Sequence, residues 1–120
     1  MDATRIVERY MAIWNEPDED ARRALIAELW SFNGAHFTSS DEARGHDAIA
    51  EKIAQTFDRF IAPGRFRLQA LSATDAHHQA IKFYWALMPA DGGMARWVGS
   101  DFLMLDEEGR IRADYQFIEP

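Results

Sequence analysis

The sequence predicts an α+β domain in which helices come first and a meander of strands follows. Three observations carry that prediction. Apart from one short strand, apolar residues recur every three or four positions through the first half; from Phe66 onward they recur every second position. Asp91-Gly92-Gly93 and Asp106-Glu107-Glu108-Gly109 interrupt the second half where hairpin turns would. The chain has 120 residues, is 48% hydrophobic and contains no cysteine, which fits one domain over residues 1–120 held by packing rather than disulfides.

The elements follow in order. Residues 2–14 place Ile6, Tyr10 and Ile13/Trp14 on one stripe of a charged helix. Asn15-Glu16-Pro17 breaks it, and Pro17 suits the first turn of the next helix. Asp18, Glu19 and Asp20 complement the dipole of that second helix. Its buried face is Leu25, Ile26, Leu29 and Trp30, and Asn33-Gly34 is expected to end it. Ala35–Ser39 reads as a short strand and Ser40-Asp41-Glu42 as a polar loop. Gly45-His46-Asp47 opens a third helix with Ile49, Ile53, Phe57 and Phe60 on one face, stopped by Pro63-Gly64.

Period-two strands come next. Phe66, Leu68 and Ala70 mark the first; Gln79, Ile81, Phe83, Trp85 and Leu87 share a face of the second. Trp97–Leu105 and Arg110–Ile118 complete the order α-α-β-α-β-β-β-β. Helices are therefore expected on one face of a curved, mostly antiparallel sheet.

Composition narrows the function. A net charge of −7 argues against a nucleic-acid partner, which would need a clustered basic surface. No apolar run approaches the roughly 20 residues of a membrane span, and the charged first helix is unlike a signal peptide. The lack of cysteine fits a reducing cytoplasm, where the protein is expected. Eight Phe, four Trp and three Tyr are a large aromatic load for a small domain, pointing to a lined cavity, a subunit interface, or both. Val98, Phe102 and Met104, with Tyr84, form an apolar outer face that a second copy of the chain is expected to cover.

Asp101 is the residue out of place, an acid inside the apolar strand Trp97–Leu105. Parity puts it on one face with Trp97, Gly99, Leu103 and Leu105. Its neighbours depend on the last hairpin. A two-residue loop, Glu108-Gly109, sets Asp101 opposite Gln116 with Asp114 and Ile118 on the same face; a three-residue loop with Gly109 as a bulge sets it opposite Tyr115. Turn chemistry leaves both open.

Three local patterns give a resemblance that covers nearly the whole chain. They are Arg9-Tyr10-Met11-Ala12-Ile13-Trp14-Asn15-Glu16-Pro17-Asp18, then Arg44-Gly45-His46-Asp47-Ala48-Ile49, and Gly99-Ser100-Asp101-Phe102 followed by Leu105-Asp106-Glu107-Glu108-Gly109-Arg110-Ile111. With the element order, the chain resembles the nuclear transport factor 2-like superfamily, in its SnoaL-like polyketide cyclase and ketosteroid isomerase branch. The resemblance implies a cone-shaped fold with a small-molecule pocket between helices and sheet. It places Tyr10 and Asp101 where ketosteroid isomerases keep a tyrosine and a neutral aspartic acid that both donate to a substrate oxyanion. It places Ser39 where those enzymes keep their general base, a role serine cannot fill unaided. It also favours the register that turns Asp114 and Gln116 inward.

The expected site is therefore Asp101, Tyr10 and Asp114 as catalytic groups, with Trp14, Trp85 and Trp97 as walls. Ser39, Ile53, Phe83, Leu103, Gln116 and Ile118 complete the expected ligand contacts. His36 has parity opposite to Ser39, which argues against the pocket, although related cyclases and dehydratases use a histidine. No histidine or carboxylate spacing suggests a metal, and no cofactor motif is present. Two functions stay open. One is a cofactor-independent isomerase or cyclase acting by acid–base chemistry on an apolar, carbonyl-bearing ligand. The other is a binding or dimerisation module that keeps the pocket and lacks the base.

Overall fold

A computed structural model describes residues 2–71 and 74–119. Helix α1 (Ala3–Asn15) starts where the Asp2 carboxylate accepts the Arg5 backbone N–H, and it buries Val7, Tyr10, Met11, Ile13 and Trp14. Its last residue is tied down twice. The Asn15 amide donates to the Leu68 carbonyl at 2.8 Å and accepts the Leu68 N–H at 2.9 Å. Helix α2 (Glu19–Leu29) is capped by Asp18.

The first departure from expectation follows. Helix α2 ends at Leu29, and Trp30 already has the extended backbone of strand β1 (Trp30–Phe37). Trp30 is buried, yet from the sheet and not from the helix. Gly34 is not a helix stop. A Cβ there would lie 2.8 Å from the Ile111 carbonyl, so glycine permits the close approach where β1 slips register against its neighbour.

Glu42, expected in the loop, instead opens a short strand, β2 (Glu42–Arg44), antiparallel to β1. Gly45, at φ +85°, turns the chain into α3 (His46–Thr56). A wider π-type turn over Phe57–Ile61 follows directly. Strands β3 (Phe66–Ala70), β4 (Asp75–His77), β5 (Ala80–Pro89), β6 (Trp97–Leu105) and β7 (Ile111–Glu119) complete the chain. The sheet runs β2-β1-β7-β6-β5-β3, with β4 also on β5, and only the β1–β7 pairing is parallel. Ile26, Ile49, Ile53, Ile81, Phe83, Leu103 and Ile111 fill the core between helices and sheet. Among the described residues, no helix is long and apolar enough to cross a membrane.

The last hairpin combines both readings of its turn. Asp106 pairs with Arg110 through its N–H at 2.7 Å, around the three residues Glu107-Glu108-Gly109 with Gly109 at φ +81°. The Asp106 carboxylate accepts the Glu108 and Arg110 N–H groups and locks that turn. One residue on, the register shifts. Leu105 faces Ile111 but Met104 faces Ala113, so Arg112 is the extra residue of a bulge. The bulge restores the register that places Asp101 opposite Gln116 and Leu103 opposite Asp114.

Candidate functional site

Strand register assembles the polar groups. Across β1, β7 and β6, His36 pairs with Asp114 and Asp101 with Gln116, which puts all four side chains on the helix-facing side of the sheet. Tyr10 comes down from α1 between the two acids. Its hydroxyl lies 2.9 Å from Asp101 Oδ2 and 2.5 Å from Asp114 Oδ2. The Trp85 indole N–H donates to Asp101 Oδ1 at 2.7 Å. That last bond depends on Gly99. Gly99 is the strand partner of Trp85, and a Cβ on it would sit 2.2 Å from the indole ring. The missing side chain lets the indole lie across β6 and reach the acid two residues on.

The proton count of this cluster is constrained. A tyrosine hydroxyl has one proton and can donate to one carboxylate, so the second short contact needs a proton on the other acid. Burial, then the Asp101 charge beside it, pushes the Asp114 carboxyl well above the carboxylate range. Burial raises the Asp101 carboxyl as well, against the opposing pull of its hydrogen bonds with Asp114, Tyr10 and Trp85. Both carboxyls are thus raised, and Asp101, Tyr10 and Asp114 retain a proton between the two acids. Burial and the two acids push the Tyr10 phenol well above its usual value, so it keeps its proton.

Next to this cluster lies a cavity of about 140 Å³, near the size that holds a single aromatic ring. Trp14, Trp85 and Trp97 wall it with Phe60 and Leu87, and Tyr10, Thr38, Lys52, Asp101 and Gln116 supply its polar lining. The Phe60 and Trp97 rings meet edge-on at 5.0 Å. Ile118 lines it too and is 56% exposed, so this side opens to solvent.

Of the residues expected from sequence, Tyr10, Trp14, Trp85, Trp97, Asp101, Gln116 and Ile118 line the cavity. Asp114 stands behind Tyr10, fully buried. Ile53, Phe83 and Leu103 are core residues outside the lining. Ser39 is exposed beyond the end of β1, and Thr38 takes its place in the lining.

His36 does not line the cavity, yet it lies on the same face of the sheet as the two acids. It is 1% exposed, with Nε2 at 2.9 Å from Gln116 Oε1 and 3.7 Å from Asp114 Oδ2. Counting parity from Ser39 fails because Ser39 lies outside the strand. Counting from Thr38, which lines the cavity, puts His36 on the helix-facing side behind it. Burial lowers the His36 pKa, so the ring is neutral.

His36, Asp101 and Asp114 each bring a ligand atom within 4.8 Å of the others, a grouping invisible in the sequence spacing. The Tyr10 hydroxyl bridges the two carboxylates of that grouping.

Comparison with known proteins places this geometry in a family. A model of the SnoaL-like domain matches residues 7–113. The chain belongs to the SnoaL-like domain family. Its fold is shared with a candidate isomerase of the SnoaL-like family from Agrobacterium tumefaciens str. C58, at 28% identity and a TM-score of 0.89, covering 98% of this chain and 97% of that one. A candidate polyketide cyclase from Sinorhizobium meliloti is similar at 13% identity and a TM-score of 0.69, with 93% of each chain covered. An NTF2-like protein of unknown function from Exiguobacterium sp. 255-15 aligns at 19% identity and a TM-score of 0.70, over 95% of this chain and 98% of that one. No curated protein matches the chain. The α+β NTF2-like architecture expected from the sequence is therefore the observed one, and this SnoaL-like domain shares it with candidate isomerases and cyclases.

Proposed function

We propose that this SnoaL-like domain is a cofactor-independent isomerase or cyclase that moves a proton on a small, largely apolar carbonyl compound. The observation that carries this reading is the Tyr10 hydroxyl bridging two buried acids beside an apolar cavity, and in this reading Asp114 keeps the proton while Asp101, with Tyr10 and Trp85 as donors, is ionised. Asp101 is the base. Its carboxylate takes a proton from the carbon next to the carbonyl, the C–H electron pair moves into the new carbon–carbon double bond, and the carbonyl oxygen becomes an enolate. Returning the proton to a different carbon isomerises the substrate; attack of the enolate carbon on a second carbonyl closes a ring, and the proton held by Asp101 passes to the alkoxide that forms. Tyr10 and Asp114 hold the Asp101 charge in place while it is free. This base differs from the one sought at Ser39, so an exposed Ser39 does not deprive the site of one. The likeness to a candidate isomerase at 28% identity agrees with the reading.

The test is conversion of 3-cyclohexenone to the conjugated 2-cyclohexenone, followed by its absorbance. Wild type should exceed the buffer rate, and Asp101→Asn should lose about 10²–10⁴-fold, the usual contribution of a positioned general base. Ligand binding without any turnover would instead support the non-catalytic module. The reading includes a homodimer closed over the outer sheet face, where Phe102, Tyr115 and Phe117 are 38%, 42% and 56% exposed.

A further inference from the structure

The cavity beside the acids carries its charge at one end. Phe37 pairs with Tyr115 and Gln116 with Asp101, so Thr38, which follows Phe37, reaches the level of the sheet where Gln116 and Asp101 stand. Trp97 and Leu87, paired with each other, lie four residues further along β6 and β5. The helical side runs the same way. Lys52, Thr56 and Phe60 line the cavity at four-residue spacing along α3 and the π-type turn, with Phe60 against Trp97 at the far end.

Asp41 fixes Lys52 at the near end. Its carboxylate accepts the Lys52 ammonium on Oδ2 at 2.9 Å and the Thr38 hydroxyl on Oδ1 at 2.7 Å, so one acid ties the ammonium to a lining residue. The same two bonds hold the Asp41 carboxyl below its ordinary value, so it stays ionised. An ammonium has three N–H donors and Asp41 takes one; the others meet no protein acceptor among the described residues. The Lys52 side chain is only 27% exposed, well withdrawn for a residue type that is usually solvated. Among the described residues, no other lysine or arginine lines the cavity.

Proton removal creates a charge that this cation suits. When Asp101 takes the proton from carbon its own negative charge is lost, and an equal charge appears on the carbonyl oxygen. Between tryptophan walls that oxygen is stabilised only by a group already aimed at it. We propose that Lys52 is a further catalytic residue, which receives the enolate oxygen on the N–H donors that Asp41 leaves free and gives up no proton. The ligand class is then a ketone of about one ring. Its oxygen sits at the Thr38–Lys52 end, the neighbouring C–H at the level of Asp101, and its apolar body toward Phe60 and Trp97. This rests on the acid–base reading for the source of the charge, but its first test reads binding and needs no turnover.

4-Nitrophenol is the probe, a single ring whose phenolate carries its charge as an enolate does and absorbs at longer wavelength than the phenol. Titrating the bound probe by absorbance gives its pKa in the cavity. Lys52→Met, which keeps the stem and removes the charge, should weaken phenolate binding about tenfold, raising the bound pKa by about one unit. Lys52→Arg should stay closer to wild type. Nitrobenzene, which lacks the hydroxyl, should bind wild type and Lys52→Met equally. With 3-cyclohexenone, Lys52→Met should lower kcat about 10²-fold, the scale of one oxyanion donor, with little change in KM.

A bound pKa that Lys52→Met leaves unchanged overturns the proposal, as does a wild type that binds no 4-nitrophenol. Equal loss of nitrobenzene in Lys52→Met overturns it too, because Lys52 would then only shape the cavity. A pKa that moves in Tyr10→Phe and not in Lys52→Met gives the oxygen to Tyr10. Turnover untouched by Lys52→Met removes the catalytic role even where the phenolate preference shifts. A phenolate preference carried by Lys52 in a wild type that does not isomerise 3-cyclohexenone would sink the acid–base reading alone.

Discussion

Asp101 and Asp114 are the same chemical group on facing strands, and their surroundings give them opposite tasks. Asp101 has two donors, Tyr10 and Trp85, whereas Asp114 Oδ1 has none, and the proposed reading accordingly leaves Asp101 ionised and the proton on Asp114. This has a consequence for stability. The folded Asp114 binds its proton more tightly than the unfolded chain, so its contribution is fully present below the unfolded value of 3.8 and is lost as pH rises through the raised folded value. His36, with a lowered pKa, works in the opposite sense, losing stability as pH falls below 6.5, and it does so in wild type and variant alike. Asp114→Asn, an amide that mimics the neutral acid, should therefore gain on wild type steadily as pH rises from 4 to 8 in urea unfolding. A constant gap across that range would contradict a neutral Asp114. The parity of Asp101 was legible from its own strand. The company of His36 was not, because that depended on which residue of a strand end faces inward, and Ser39 marks the wrong side of that end.

At the scale of elements, the site depends on two irregularities. The Arg112 bulge converts a three-residue turn into the register of a two-residue one, so that turn residues alone could not have fixed the partner of Asp101. Gly99 allows Trp85 to cross β6. Gly99→Ala would drive a methyl into the indole and to 2.7 Å from the Phe117 carbonyl, one contact movable and the other backbone. The expected cost is about 1–3 kcal/mol, seen as a lower Tm, with a shift of tryptophan emission as Trp85 leaves Asp101. An unchanged Tm and emission would show that the indole is not held there. The boundary between α2 and β1 was also hidden from the sequence. Trp30 fits a helical stripe as well as a strand, and Asn33-Gly34 mimics a helix stop although the glycine serves strand contact.

At the scale of the molecule, the order of the helices and long strands and the change of period were readable, because both are written in the spacing of apolar residues, whereas the three-residue strands β2 and β4 are too short to show one. The use of the two sheet faces follows from the same alternation. The inner face carries the acids and tryptophans, while the outer face leaves Phe102, Tyr115 and Phe117 exposed. If a second copy covers that face, sedimentation should find a dimer that Phe117→Glu with Phe102→Glu dissociates without loss of the inner site. A wild-type monomer would sink that part of the account.

The central claim is the division of one proton between two buried acids, and infrared spectroscopy reads it directly. At pH 7 the folded protein should show the C=O stretch of a protonated carboxyl. That band should vanish in Asp114→Asn and persist in Asp101→Asn. A band that instead survives in Asp114→Asn and disappears in Asp101→Asn would put the proton on Asp101 and remove the base from the site.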